Sequence, residues 1–363
     1  MKNKRIIAFD TLRYILALCV LFGHSYLYLY RNGSTLVGMQ NIAVDGFFIL
    51  SGFLLACSVV KTKIMDENEM FLQLTVKRFK RLWPEFMFAT IIALFLIMFF
   101  LHKFDVYPLI FNVFLLGQVN KIPAIISGSW FVSVLFFAGT FLQGILIYKK
   151  KLAVNFIIPT IVFLCFIYIT VKFMHLSLTG TYYINGILTV GFIKGLMDIG
   201  LGMILCYVTE YINKNSLPIK EKYKPLLCKS FELFAVYLWL YSFLHGGPSK
   251  YDLLSLFAFS FIIPILALGK EFWLKFFSWR QWERLTPTAY MLFLTHTTWL
   301  EIIKRYVSYK EYPQPLVYLM VMAFCIIFAI ICYHLQKWLF AKLKDILFVN
   351  TPQTASQNIS GEK

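Results

Sequence analysis

Long apolar runs alternate with short polar segments along almost the whole chain. An apolar window of about 20 residues is long enough to cross a bilayer as a helix. We predict ten such spans, at residues 9–30, 42–60, 86–101, 129–148, 153–174, 186–208, 226–244, 251–268, 286–303 and 316–338. A shorter apolar stretch, Tyr107–Val119, is expected to be re-entrant or interfacial. The pattern predicts an all-α, polytopic membrane protein.

Composition supports this class, because hydrophobic residues make up 59% of the 363 and charged residues only 15%. A water-soluble domain has no interior large enough for that much apolar surface. No polar segment between the spans is long enough to fold alone. We therefore expect one transmembrane domain over residues 1–345 and a polar, disordered cytoplasmic tail over residues 346–363.

The N-terminal segment resembles a secretory signal peptide, with basic residues before an apolar run. The run is longer than a signal sequence requires and contains Arg13, so it is expected to remain as the first helix. The seven cysteines lie in or beside apolar runs without a Cys-x-x-Cys pair, which indicates packing residues. The histidines show no ligand spacing, and no metal site is expected.

The net charge of +17 is informative about topology because of where the basic residues lie along the chain. Of the Lys and Arg residues, 25 fall in the N-terminus, the C-terminus and alternate loops, and 8 fall in the intervening loops. The positive-inside rule then places both termini in the cytoplasm. The basic residues fit contact with anionic lipid, and no basic helix or zinc-finger pattern points to nucleic acid.

The first candidate functional residues along the chain are Arg13 and His24, both in the first span. Charge inside a membrane helix is expensive and usually marks function. Eleven residues return a helix to within roughly 20° of the same face, at a rise of about 16 Å. Asp45, near the outer end of the second span, is expected at a depth similar to that of His24, where a carboxylate orients an imidazole. The alternative is that Asp45 only caps its helix.

Further polar residues lie in later spans and at their ends. Arg78 and Arg81 share a helical face at the cytoplasmic boundary, which suits bidentate phosphate binding or, alternatively, a lipid-headgroup anchor. His296 is a lone mid-membrane histidine, of a kind that is more often structural than catalytic. Lys194 and Asp198 are expected to neutralise each other as an i,i+4 pair. Glu232 has no evident partner.

Five motifs together resemble the acyltransferase-3 family of bacterial membrane enzymes. They are FDTLRYILALCVLFGH, VDGFFILSGFLL, RFKR followed by LWP, SWFVSVLFF, and AYMLFLTH. The motifs occur in the family's order from Phe9 to His296, and ten helices are typical of its members. Thr288 and Ala289 depart from the family, where a serine often directly precedes the aromatic residue that corresponds to Tyr290.

The resemblance implies transfer of an acyl group, most often acetyl, from cytoplasmic acyl-coenzyme A to a hydroxyl of an extracytoplasmic or lipid-linked glycan. It implies that His24 is the catalytic histidine and that Arg13, Arg78 and Arg81 bind the donor. The matching motifs also contain residues with less defined roles. We expect these to be Asp45 in catalysis, Asp10 as support for Arg13, and Trp130, Tyr290 and His296 in acceptor binding.

We therefore expect a multi-pass O-acetyltransferase of envelope polysaccharide in the bacterial inner membrane. Acyl-coenzyme A, expected to be acetyl-coenzyme A, is its donor substrate, and no permanently bound cofactor is expected. The alternative is a transporter or flippase for a polyanionic or glycolipid substrate, which also uses intramembrane charge. A third interpretation is an inactive family member that serves as an assembly partner.

Overall fold

The computed structural model describes residues 2–29, 39–62, 66–103, 105–117, 124–176, 183–184, 188–215, 224–245, 250–269, 271–307 and 309–348. Its first helices are α1 (Lys2–Leu29), α2 (Met39–Lys61), α3 (Glu67–Leu101), α4 (Tyr107–Val113), α5 (Ser129–Tyr148), the single turn α6 (Lys150–Leu152) and, after a π-helical turn at Ala153–Ile157, α7 (Ile158–Phe173). The later helices are α8 (Val190–Lys214), α9 (Lys224–Leu244), α10 (Leu253–Leu268), α11 (Ala289–Tyr306) and α12 (Gln314–Phe348). Two-residue strands, Tyr183–Ile184 and Leu188–Thr189, pair antiparallel before α8.

The described helices confirm the all-α polytopic class. Eight of the helices in the described ranges are long and apolar enough to cross a membrane: α1, α2, α3, α5, the α6–α7 segment, α8, α9 and α12. The remaining two predicted spans correspond to α10, which is apolar but shorter, and to α11, which is more polar. The long apolar runs therefore form helices because a bilayer leaves backbone groups no partner outside their own segment.

Helix α3 begins much earlier than the predicted span over residues 86–101. It starts at Glu67, after the side chain of Asp66 accepts the amide protons of Asn68 and Glu69, and it continues through Pro84. The amphipathic segment that carries the arginines is therefore one continuous helix with the apolar segment. This places Arg78 and Arg81 on a packed helix instead of in a loop.

The structure also differs from two other segment boundaries that the sequence predicted. The stretch predicted to be re-entrant or interfacial contains the short helix α4, and its last two residues lie outside the described ranges. Helix α12 continues to Phe348, three residues into the predicted tail. Residues 349–363 lie outside the described ranges.

Helices α2 and α8 pack side by side in the same direction and form the centre of the bundle. Asp45 contacts Lys194 near their N-terminal ends, and Cys57 lies beside Cys206 near their C-terminal ends, with 2.6 Å between the two sulfur atoms. A Cβ at Gly52 would overlap the backbone of Ile199. Glycine at this position therefore allows the two backbones to touch, as small residues do in membrane bundles. Helices α1 and α5 pack on α2, and α11 packs on α1.

The first prediction concerns orientation, which the charge distribution and the alternating helices determine together. Reporter fusions after Lys150 and Lys214 should be active only as cytoplasmic reporters, and a fusion after His245 only as an external reporter. A matched pair of reporters at each site provides the control. An external Lys214 would contradict the ten-span orientation, because every later helix would then be inverted.

Candidate active site

A cavity of about 540 Å³ lies among α1, α2, α3, α5 and α11, and Tyr333 of α12 also contributes to its lining. Its walls combine apolar and aromatic groups with an excess of positive charge. The cations are Arg13, Lys77, Arg78 and Arg81, and the acids are Asp10 and Glu85. The three arginines predicted from sequence therefore meet at one cavity, although two of them lie 65 or more positions along the chain from the first.

Asp10 holds Arg13 against the cavity wall. Arg13 Nη1 lies 2.5 Å from Asp10 Oδ1, one helical turn earlier on α1, and both side chains are partly exposed. The ion pair is local to one helix, so it fixes the direction of the guanidinium without help from a loop. This is the position that the supporting role of Asp10 requires.

The guanidinium groups of Arg78 and Arg81 differ in their contacts and in their exposure. Arg78 donates from Nη2 to the backbone carbonyl of Leu135 on α5, while its buried Nη1 has no partner among the described residues. A Cβ at Gly139 would overlap this guanidinium, so glycine leaves it room. Arg81, three residues later, is exposed and lines the same cavity. One arginine is thus fixed and the other is free to follow a ligand.

His24 pairs with His296 across the contact between α1 and α11. Nδ1 of His24 lies 2.7 Å from Nε2 of His296, and the two ring planes differ by only 13°. Nitrogen lone pairs and N–H bonds lie in the ring plane, so the geometry suits a hydrogen bond. His296 is 1% exposed, whereas His24 retains partial exposure.

The hydrogen bond at the second nitrogen of His296 indicates which ring nitrogens carry protons. Nδ1 of His296 lies 3.1 Å from the carbonyl oxygen of Leu292, which only accepts, so this nitrogen carries the proton. With both rings neutral, Nε2 of His296 then accepts from Nδ1–H of His24. The remaining nitrogen of His24, Nε2, then carries a lone pair and has no hydrogen-bond partner among the described residues, as a base or nucleophile needs.

Three aromatic rings lie between the cationic cavity and the histidine pair. Phe47, Phe131 and Phe293 line the cavity and contact one another, with centroids 4.7–5.8 Å apart. The ring of Phe293 also lies 6.1 Å from that of His296. These three contacting rings thus form an apolar boundary between the cationic cavity, whose lining includes neither histidine, and the imidazoles.

The predicted partnership of Asp45 with His24 is wrong. Asp45 Oδ1 lies 2.6 Å from Lys194 Nζ, and both side chains are only 1% exposed. Gly46 lies against Leu16 of α1, eight residues before His24, which corresponds to about 12 Å along the helix. The expectation assumed equal depth from position within each span, whereas the actual stagger of α1 and α2 pairs the carboxylate with α8.

The structure also differs from two further expectations about the partners of buried charged residues. Lys194 contacts Asp45 and the carbonyl of Leu176, and Asp198, its predicted i,i+4 partner, lies beside Asp45 as a second carboxylate of the same cluster. The carboxylate of Glu232, predicted to have no partner, accepts the backbone amides of Phe272 and Leu274, where a 3₁₀ turn begins. Both charges therefore stabilise contacts between distant segments.

The three residues expected in acceptor binding lie apart. Tyr290 lines the cationic cavity, with its hydroxyl 3.5 Å from the carbonyl of Leu82. His296 is the partner of His24. Trp130 lies in the first turn of α5, where its ring faces that of Phe48 at 6.2 Å. The structure therefore moves Tyr290 to the side predicted to bind the donor and leaves the acceptor role of Trp130 a prediction.

Among the polar residues that line the cavity, sequence reasoning missed two charged side chains and one amide. Lys77 and Glu85 lie four residues before and after Arg81, so i,i+4 spacing along α3 was the available signal. Gln143 is a single amide within an otherwise apolar stretch of α5 and is 0% exposed. Its isolation in that stretch was the signal for it.

Comparison with known proteins gives one decisive result. The family model described as an acyltransferase domain, that of the acyltransferase-3 family, matches residues 6–334. The chain belongs to the acyltransferase-3 family. No curated protein and no solved structure matches it. As an acyltransferase-3 protein it is a membrane acyltransferase, which acts on an acyl donor and an acceptor.

The second prediction tests the pairing of Asp45 in this acyltransferase-3 protein. Asp45→Asn should remove the carboxylate in contact with Lys194, leave Asp198 as the remaining negative charge beside this cation, and lower the free energy of unfolding by about 1–3 kcal/mol. The double variant Asp45→Asn/Lys194→Met also removes the buried cation and should recover part of that loss. Thermal unfolding in detergent measures both, with Asp105→Asn at an exposed position as the control.

Measurements of acyl transfer distinguish this structural role of Asp45 from a direct action of Asp45 on His24. If Asp45 acts only through Lys194, the double variant should regain acyl transfer together with its stability. A stable double variant that stays as inactive as Asp45→Asn would contradict the structural role.

Proposed function

We propose that this protein is an O-acetyltransferase of the bacterial cytoplasmic membrane. It transfers the acetyl group of cytoplasmic acetyl-coenzyme A to a hydroxyl of an envelope polysaccharide or lipid-linked sugar. The observation that carries the proposal is the 2.7 Å contact between Nδ1 of His24 and Nε2 of His296, which leaves Nε2 of His24 to act as a base, behind the aromatic rings that border a cavity lined with arginine. This arrangement combines an anion site with a base in one bundle.

The charge of the cavity supports a polyanionic donor. Three arginines and a lysine face the cavity, against two carboxylates. Guanidinium groups bind phosphate oxygens in pairs, and such bonds are stronger where water is excluded. Coenzyme A carries its phosphates at one end and its thioester at the other. With the phosphates at the arginines, the extended arm points toward the contacting rings of Phe47, Phe131 and Phe293, which must move apart for the thioester to reach His24.

The histidine pair supports two routes of transfer. In the first, Nε2 of His24 takes the proton of the acceptor hydroxyl while its oxygen attacks the thioester carbonyl, and the thiolate leaves with that proton. In the second, Nε2 attacks the carbonyl itself and coenzyme A leaves before the acceptor takes the acyl group. In both routes His296 accepts the hydrogen bond of Nδ1–H and holds the ring in one tautomer.

The third prediction tests the histidine pair. His24→Ala should abolish release of coenzyme A from acetyl-coenzyme A in membranes that contain acceptor, because no other group replaces the free lone pair. His296→Ala should lower turnover by roughly a hundredfold, since it removes orientation but leaves the base. The exposed His245→Ala serves as the matched control.

Two outcomes would overturn the mechanism. Turnover close to wild type by His24→Ala, at equal protein level, would contradict the role of His24. Movement of a glycolipid across the membrane without release of coenzyme A would favour a carrier over an enzyme.

The fourth prediction tests the donor site at Arg81. Arg81→Lys keeps the charge but removes the planar pair of donors, so the apparent KM for acetyl-coenzyme A should rise about tenfold with little change in kcat. Arg280→Lys, at a side chain 91% exposed outside the cavity, is the matched control. An unchanged KM in Arg81→Lys would favour the lipid-anchor alternative for this position.

A further inference from the structure

The side chain of Gln143 is an unexplained polar group in the wall of the cavity. It is 0% exposed, and neither its amide nitrogen nor its amide oxygen has a hydrogen-bond partner among the described residues. A buried amide of this kind normally has its hydrogen bonds satisfied, because burial without them is costly. Gln143 therefore requires an explanation that the arginines and the histidine pair do not provide.

Its position separates Gln143 from the other buried polar groups without partners. Several described side chains contain such an atom, but of these only Gln143 and Arg78 line the cavity. The unpartnered atom of Arg78 is Nη1 of a guanidinium that the family resemblance already assigns to the donor side. Two unsatisfied groups in one cavity wall indicate a polar ligand that satisfies both.

The packing of α3 against α5 places these two groups close along the cavity. Phe71 lies at Gly144 and Arg78 lies at Gly139, so the two helices run antiparallel. Gln143 is one turn from Gly139, on the side toward the C-terminal end of α5 and away from the histidine pair. A ligand held by Arg78 thus extends past Gln143 in the direction opposite to the reacting histidine.

We propose that Gln143 is a recognition residue for the acyl donor. Its carboxamide offers one donor and one acceptor side by side, so its partner presents an acceptor and a donor in the same arrangement. On the side of its phosphates away from the thioester, coenzyme A has one group of this chemistry, the edge of its adenine ring. This inference rests on the proposed function and adds a contact that the family motifs do not contain.

The variant Gln143→Met tests the contact, because Met has nearly the same shape and no amide. We expect the Kd for coenzyme A to rise roughly tenfold in the purified full-length protein. The same variant should raise the unfolding temperature of the ligand-free protein, because it removes an unsatisfied buried amide. A residue with only a structural role would not change affinity and stability in these opposite directions.

A second variant and a matched control keep the test independent of folding. Gln143→Glu preserves the shape but loses the N–H donor, and it should weaken coenzyme A binding at least as much as Gln143→Met. Gln336→Met makes the same change at a glutamine of α12 that is 5% exposed and does not line the cavity. It should leave the Kd unchanged.

A shortened ligand then identifies the group that Gln143 contacts. Loss of affinity for coenzyme A but not for 4′-phosphopantetheine, which lacks the adenosine, would assign the contact to the adenine edge. Loss of affinity for both would place the contact on the phosphopantetheine half and contradict the adenine contact. An unchanged Kd for both ligands in Gln143→Met would overturn this inference and leave the proposed function intact. Wild-type protein that does not bind coenzyme A would instead overturn the proposed function.

Discussion

A polar group inside a membrane-spanning bundle must find its partner within the bundle, because the lipid offers none. This constraint explains the arrangement of most buried polar groups described above. Asp45 neutralises Lys194 between α2 and α8, and Glu232 accepts two backbone amides at the start of a 3₁₀ turn. Each pair joins segments that are distant in sequence. The bundle is therefore held together partly by the requirement to satisfy its own charges.

The same constraint separates the two functions that an acyltransferase must combine. Positive charge is tolerated at the cavity, where Arg81 is exposed and Arg13 is partly exposed next to Asp10. Beyond the arginines, the next side chains are the rings of Phe131 and Phe293, and the His24–His296 pair follows them. A charged ligand end is thus favoured at one place and a neutral, reactive end at another. In the proposed function, this order of side chains from the arginines to the histidines determines the direction in which the donor binds.

The sequence predicted the features that depend on one helix at a time. Apolar length gave the spans, and helical spacing gave the common face of Arg78 and Arg81. It did not predict features that depend on how two helices are staggered. The partner of Asp45 follows from the close parallel contact of α2 and α8 at Gly52, and spacing within one span contains no information about that contact. The partner of Glu232 depends likewise on a turn that follows a different helix.

The pairing of His24 with another histidine, instead of with Asp45, has a physical reason of its own. A carboxylate beside a neutral imidazole would add a full negative charge to the apolar interior in the resting state, at a large cost in desolvation. Neutral His296 orients the ring through Nε2 and adds no charge until His24 takes a proton. The carboxylate of Asp45 would stabilise the imidazolium more strongly, but it is already committed to Lys194. The bundle accordingly pairs the carboxylate of Asp45 with a permanent cation and pairs His24 with a neutral acceptor.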